Sequence, residues 1–91
     1  MMNAIEKEQL RDVFFEYKRY ARLMCMEDAD DDEIRWAVED ACEAAHACAG
    51  IQWKIVETFQ HMANEVAVLE GSDPEKASKL EDTYLTYLKS L

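Results

Sequence analysis

A long apolar pattern with the period of an α-helix covers the middle of the chain. From Ile34 to Leu69 it steps by four and three residues without interruption, and only Gln52, near its centre, is polar. This spacing is typical of a heptad seam and predicts one helix over about residues 31–70, roughly 55 Å long at about 1.5 Å per residue. The seam positions are Ile34, Val38, Ala41, Ala45, Cys48, Gln52, Ile55, Phe59, Met62, Val66 and Leu69.

Gly50 is the weak point of this long helix. A glycine in a helix interior costs about 1 kcal/mol, so Gly50 would alternatively mark a break between two helices. No Ser, Thr, Asp or Asn lies just after Gly50 to cap a restarted helix, and this favours the continuous helix. The alternative is a monomeric four-helix bundle broken at Gly50.

Two shorter helices are predicted on either side, over about residues 4–26 and 73–91. Gly71 is expected to end the long helix as its C′ residue, and Ser72 to Glu75 form a capping box with proline in the first turn. The apolar arc of the first helix is broad enough to predict contact with more than one neighbour. It contains Leu10, Val13, Phe14, Tyr17, Ala21 and Met24, widened by Phe15, Tyr20 and Leu23.

An acidic segment separates the first two predicted helices. Six of the seven residues from Glu27 to Glu33 are acidic, and Asp30 with Glu33 has the form of an N-cap and capping box. Acidic side chains are also favoured in a first helical turn by the helix dipole. Together with acids early in the long helix, the segment predicts a negative end of the molecule. The acids concerned are Glu27, Asp28, Asp30, Asp31, Asp32, Glu33, Glu39, Asp40 and Glu43.

The fold class that follows is all-α, in a single domain over residues 1–91. Two Gly and one Pro leave little with which to build tight β-turns. A three-helix chain of this shape does not enclose its own seam, so we expect an antiparallel homodimer centred on Gln52. In that dimer Cys48 lies opposite Ile55, and the small Ala45 and Ala41 lie opposite the large Phe59 and Met62, respectively.

Charge and cysteine content restrict the function further. Twenty acidic against ten basic residues give a formal charge of −10, which makes direct nucleic-acid binding unfavourable. The first ten residues show no secretory signal, and the longest nearly uncharged stretch, 44–53, is too short for a membrane span. Three cysteines, Cys25, Cys42 and Cys48, are an odd number and are expected to be reduced thiols. We therefore expect a cytoplasmic protein.

Chemical motifs are weak in this chain. Asp28, Asp30, Asp32 and Glu39 match four positions of a calcium loop, but the glycine position of that loop holds Glu33. Glu43 and His46 form a Glu-x-x-His pair that would hold a metal with Glu16 in a ferritin-like dimer. Cys42 and His46 lack an orienting acid for nucleophilic catalysis. We expect no catalytic activity, no metal and no cofactor.

Three functions remain as hypotheses. The first is a protein-binding module that inhibits or sequesters a basic partner that handles nucleic acid, by analogy of size and charge with phage antagonists and immunity proteins. The second is the dimeric metal-binding protein that uses Glu16, Glu43 and His46. The third is a chaperone or scaffold subunit whose first helix, through Phe15 and Tyr20, covers a hydrophobic segment of another protein.

Overall fold

Four α-helices make up most of residues 2–91, the part of the chain that the computed structural model describes. They are α1 (Ala4–Met24), α2 (Asp31–His46), α3 (Trp53–Glu70) and α4 (Pro74–Ser90), and this part of the chain contains no strand. The all-α fold class is confirmed. Within the same residues, no helix combines the length and apolarity that crossing a bilayer demands.

The central helix of the fold is α1. Helices α2 and α3 pack along different sides of α1, while α4 packs mainly on α3 and less on α1. The core lies between α1 and α3, where Leu10 and Phe14 of α1 meet Val56 and Phe59 of α3, all of them at most 1% exposed. The broad apolar arc of the first helix therefore contacts several neighbours, as its width predicted.

The helices run alternately up and down. Arg19 of α1 pairs with Asp40 of α2, and Arg22 pairs with Glu70 at the end of α3. The amine of Lys7, early in α1, donates to the backbone carbonyl of Lys89 at the end of α4, 2.8 Å away. Helix α3 is therefore parallel to α1, whereas α2 and α4 are antiparallel to it. The resulting molecule is flat, with extents of 41 × 28 × 17 Å.

The continuous helix predicted over residues 31–70 is wrong. Helix α2 ends at His46, residues 47–52 form turns, and α3 begins at Trp53. Gly50 does not have a positive φ, and a Cβ built on it would meet no atom within 4 Å, so the break does not depend on glycine. The fold is broken near Gly50, as the alternative interpretation expected.

The break brings apolar residues on both of its sides into the core of a single chain. It turns Cys48 and Ile51 into the core and lays Val56 and Phe59 along α1. Full burial of such a side chain contributes about 1.5–3 kcal/mol. A missing N-cap costs only about 1 kcal/mol, and Gln52 indeed caps α3 without a side-chain hydrogen bond. The absence of a capping residue after Gly50 was therefore the weaker signal.

The residues of the predicted dimer seam differ in their burial within one chain. Ala41, Cys48 and Phe59 are buried, Ala45, Ile55 and Met62 are half-buried, and Gln52 is exposed. The antiparallel pairing of small with large residues needs a continuous helix, which the structure does not contain. Homodimerisation itself stays a prediction, without this seam to support it.

Helix ends differ in detail from the sequence predictions. The first helix begins at Ala4 as predicted, with a capping box between Asn3 and Glu6 that sequence reasoning missed, and it ends at Met24, two residues early. Asp30 caps α2, but its side chain accepts from the backbone N–H of Asp32, so no capping box with Glu33 forms there.

The last helix also begins one residue later than predicted. Asp73, not Ser72, is the N-cap of α4, and it accepts from the backbone N–H of Lys76 at 3.1 Å. Gly71 is the C-cap of α3 and has a right-handed backbone, with φ −72°, rather than the left-handed one expected of a C′ glycine. Helix α4 ends at Ser90, with Leu91 half-buried against the core.

Candidate functional site

A cluster of exposed carboxylates, which we call the acidic end, lies where α1 turns into α2. It consists of Glu27, Asp28, Asp30, Asp31, Asp32 and Glu33, all exposed. Asp31 to Glu33 form the first turn of α2, where the helix dipole favours negative charge. Within residues 2–91, the only ion pair of this cluster joins Asp32 to Arg35 at 3.2 Å. The acidic end therefore keeps most of its negative charge exposed.

Several acids elsewhere in the fold are paired with basic side chains. Glu70 accepts two hydrogen bonds from Arg22, and Lys18 pairs with both Glu70 and Glu81. Asp40, one of the nine acids predicted to form the negative surface, pairs with Arg19 at 3.0 Å. Such pairing weakens the attraction that these carboxylates exert on a basic partner. Of the remaining predicted acids, Glu39 and Glu43 are exposed on α2.

The residues of the predicted ferritin-like site are not brought together. Glu16 and Glu43 line one groove between α1 and α2, together with Asp12 and Asp40. His46 lines a different groove on the other side of α2. In the part of the chain that the structure describes, no three His, Cys, Asp or Glu side chains are placed to hold a metal ion.

A groove between α2 and α3, floored by α1, is a feature that sequence reasoning missed. We call it the α2–α3 groove; its volume is about 250 Å³. Helices α2 and α3 both pack on α1 but make almost no contact with each other, which leaves this gap. The continuous helix assumed from the seam concealed it, since a groove requires α3 to return along α1. It is lined by Tyr17, Ala41, Cys42, Ala45, His46, Trp53 and Gln60.

The aromatic residues of the groove are partly open to solvent. Trp53 is 60% exposed, and the ring of Tyr17 makes an edge contact with that of Tyr20, with centroids 5.7 Å apart. The second tryptophan, Trp36, is 51% exposed on α2 and does not line the groove. An exposed tryptophan beside small side chains is typical of a surface that binds another molecule.

The three cysteines are free thiols in different surroundings. Cys25 and Cys42 are exposed, and Cys42 lies in the α2–α3 groove. Cys48 is buried, and burial, with a smaller contribution from the charge of Asp12, raises the pKa of its thiol. A raised pKa lowers the thiolate fraction at neutral pH, so Cys48 is a poor nucleophile.

Lys18 is a buried cation that the sequence analysis did not single out. Its ammonium pairs with Glu81 and Glu70 and lies 5.1 Å from the centre of the Phe15 ring. A lysine inside the apolar arc of α1 was the signal available in the sequence. Its contacts join α1 to α3 and α4, which is a structural role.

Comparisons with protein families, with curated proteins and with solved structures find no match to this chain.

Proposed function

We propose that this chain is a protein-binding module that inhibits or sequesters a basic partner protein of the kind that handles nucleic acid. The observation that supports the proposal is the acidic end, where six exposed carboxylates have one arginine among them. Surfaces that bind nucleic acid are basic because they contact phosphates. An array of carboxylates on this turn and on the first turn of α2 competes for such a surface.

The position of the negative charge at one end of the molecule explains how binding would occur. A field of one sign, concentrated at one end of a small molecule, speeds the encounter with a basic surface and orients the approach. Because the carboxylates are exposed, salt screens this attraction strongly. Binding should therefore be fast at low ionic strength and should weaken as salt is added. The mechanism requires no catalysis and no cofactor, and the two exposed thiols suit a reducing, cytoplasmic location.

The alternative functions receive less support from the geometry. The metal-binding alternative requires Glu16, Glu43 and His46 at one site, but His46 lines a different groove from Glu16 and Glu43. The chaperone alternative needs an open face on the first helix, but Phe15 is half-buried under Arg11 and Lys18, and Tyr20 is half-buried against Tyr17.

The test is affinity capture from a nuclease-treated lysate of the source cell, with two matched triple variants. Asp30→Asn, Asp31→Asn and Asp32→Asn together neutralise the acidic end and keep a capping side chain at residue 30. The control combines Glu8→Gln, Glu57→Gln and Asp82→Asn, which are exposed elsewhere and remove the same charge.

We expect the wild-type chain and the control to retain a basic protein at low salt and to release it at high salt. The acidic-end variant should retain much less of it. Equal retention by all three proteins, or equal loss from both variants, would contradict a binding surface at the acidic end.

A further inference from the structure

The α2–α3 groove is an apolar surface that no helix of the described chain covers. Ala41 and Ala45 form one wall, Trp53 forms the opposite wall, and Tyr17 lies at the floor. Its volume of about 250 Å³ falls below the roughly 300–1,000 Å³ typical of small-molecule sites. The space suits one or two large apolar side chains of a macromolecule better than a metabolite.

The shape of the groove suits a helix. Helices α2 and α3 lie on either side of the groove, and both pack on α1. The small side chains of Ala41 and Ala45 permit the close approach of another backbone. Amphipathic helices bind in such grooves through apolar residues spaced three and four apart.

The groove also points toward the acidic end. Val38 lies one turn before Cys42 on α2 and is 38% exposed, so the apolar wall continues toward the start of the helix. Asp31 precedes Val38 by seven residues and therefore shares its face of α2. An elongated ligand in the groove would thus have its apolar side on α2 and α3 and one end beside the exposed carboxylates.

We propose that the α2–α3 groove binds an amphipathic, basic α-helix of the partner protein. Its apolar face packs on Ala45 and Trp53, and lysines or arginines at one end meet Asp31 and the rest of the acidic end. That the partner is basic rests on the proposed function. The groove adds that the partner binds through a helix with one apolar face. Charge also disfavours a second copy as the ligand, because each copy carries a formal charge of −10.

The test uses three synthetic peptides of 14 residues as probes. The first has leucines spaced three and four apart and lysines at the other positions. The second has the same composition in an order that leaves no apolar face, and the third has glutamate in place of every lysine. Binding is followed by Trp53 fluorescence in a Trp36→Phe variant, and the Trp53→Phe variant, which keeps Trp36 outside the groove, is the control.

A second readout is the alkylation rate of Cys42. In a Cys25→Ser variant, Cys42 is the one remaining exposed thiol, since Cys48 is buried. At a peptide concentration about ten times its Kd, alkylation should be about tenfold slower, because only the unbound fraction reacts. Ala45→Phe should abolish binding by filling the groove, whereas Ala49→Phe, in the exposed turn after α2, should not.

We expect only the first peptide to shift Trp53 emission to the blue and to protect Cys42. If the first two peptides bind equally and neither changes Trp53 or Cys42, the groove proposal is overturned while charge-driven binding at the acidic end stands. If the first peptide does not bind at low salt, the groove proposal also fails, and the lysate capture decides separately on the proposed function. A free chain that already elutes as a dimer with Cys42 protected would assign the groove to a second copy instead.

Discussion

Arg22 donates two hydrogen bonds to the carboxylate of Glu70, from Nε at 2.9 Å and from Nη2 at 3.1 Å. The pair joins the last turn of α1 to the last residue of α3, so these two helices are parallel. In a single helix over residues 31–70, Glu70 would lie roughly 55 Å from the α1–α2 turn, out of reach of Arg22. The break between α2 and α3 is therefore what permits this contact.

Lys18 should contribute more stability than Arg22, although both pair with Glu70. Lys18 is buried between two carboxylates, whereas the Arg22 side chain is 51% exposed. We expect Lys18→Ala to lower the free energy of unfolding by about 2 kcal/mol, the scale of a hydrogen bond to a charged group. Arg22→Ala should cost about 0.5 kcal/mol, as exposed pairs do. Urea unfolding followed by circular dichroism measures both, and equal losses would contradict the structural role assigned to Lys18.

Gly50→Ala separates the broken fold from the continuous helix. Gly50 has no positive φ, and a Cβ would meet nothing within 4 Å, so alanine fits the turn. We expect a gain of about 0.4–1 kcal/mol in the free energy of unfolding, because alanine restricts the unfolded chain. The helical signal and the mass in solution should not change. A rise in helix content accompanied by doubling of the mass would indicate that the continuous helix and its dimer seam form.

The helices were predictable from the sequence, but the path of the chain between them was not. The period of apolar residues marked the helical segments, but it did not mark every buried position. Val38 lies on the predicted seam and is 38% exposed, whereas Val56 and Ala63 lie off the seam and are buried. The same period continues through residues 47–52, where Cys48 is buried in the turn although Gln52, the next seam position, is exposed. A buried turn and a buried helix thus produce the same pattern, and only the packing of Val56 and Phe59 on α1 distinguishes them.

The candidate site was predictable to a similar extent. Charge runs are visible in a sequence, so the acids from Glu27 to Glu33 were identified directly. The pairing of Asp40 with Arg19 and the separation of His46 from Glu16 depend on how α2 is rotated against α1. The α2–α3 groove depends on the return of α3 along α1, so no local pattern could indicate it.

Asp30 has a capping role that can be separated from its charge. Its side chain accepts from the backbone N–H of Asp32 at 2.9 Å, at the start of α2. We expect Asp30→Ala to lower the free energy of unfolding by about 1 kcal/mol and Asp30→Asn to change it little, because asparagine caps as well as aspartate does. Thermal unfolding of the two variants compares them directly. A loss as large for asparagine as for alanine would mean that the charge of residue 30, and not its cap, supports the helix.

Tyr84 should make stability sensitive to alkaline pH. Burial, together with a hydrogen bond that its hydroxyl donates to Glu65 at 2.7 Å and the charge of that carboxylate, raises the pKa of Tyr84 to about 12. In the unfolded chain the pKa returns to about 10. Between these two values the folded state binds the proton more tightly than the unfolded state does, so this stabilisation is fully present below pH 10 and is lost as the pH rises toward 12.

Urea midpoints measured between pH 9 and pH 11 test this relationship. The midpoint of the wild-type chain should fall over that range, and Tyr84→Phe should make the fall shallower because the titrating hydroxyl is gone. Glu65→Gln should also make it shallower, since it removes the carboxylate that favours the protonated hydroxyl. An equally steep fall in Tyr84→Phe would show that other groups cause the alkaline loss of stability.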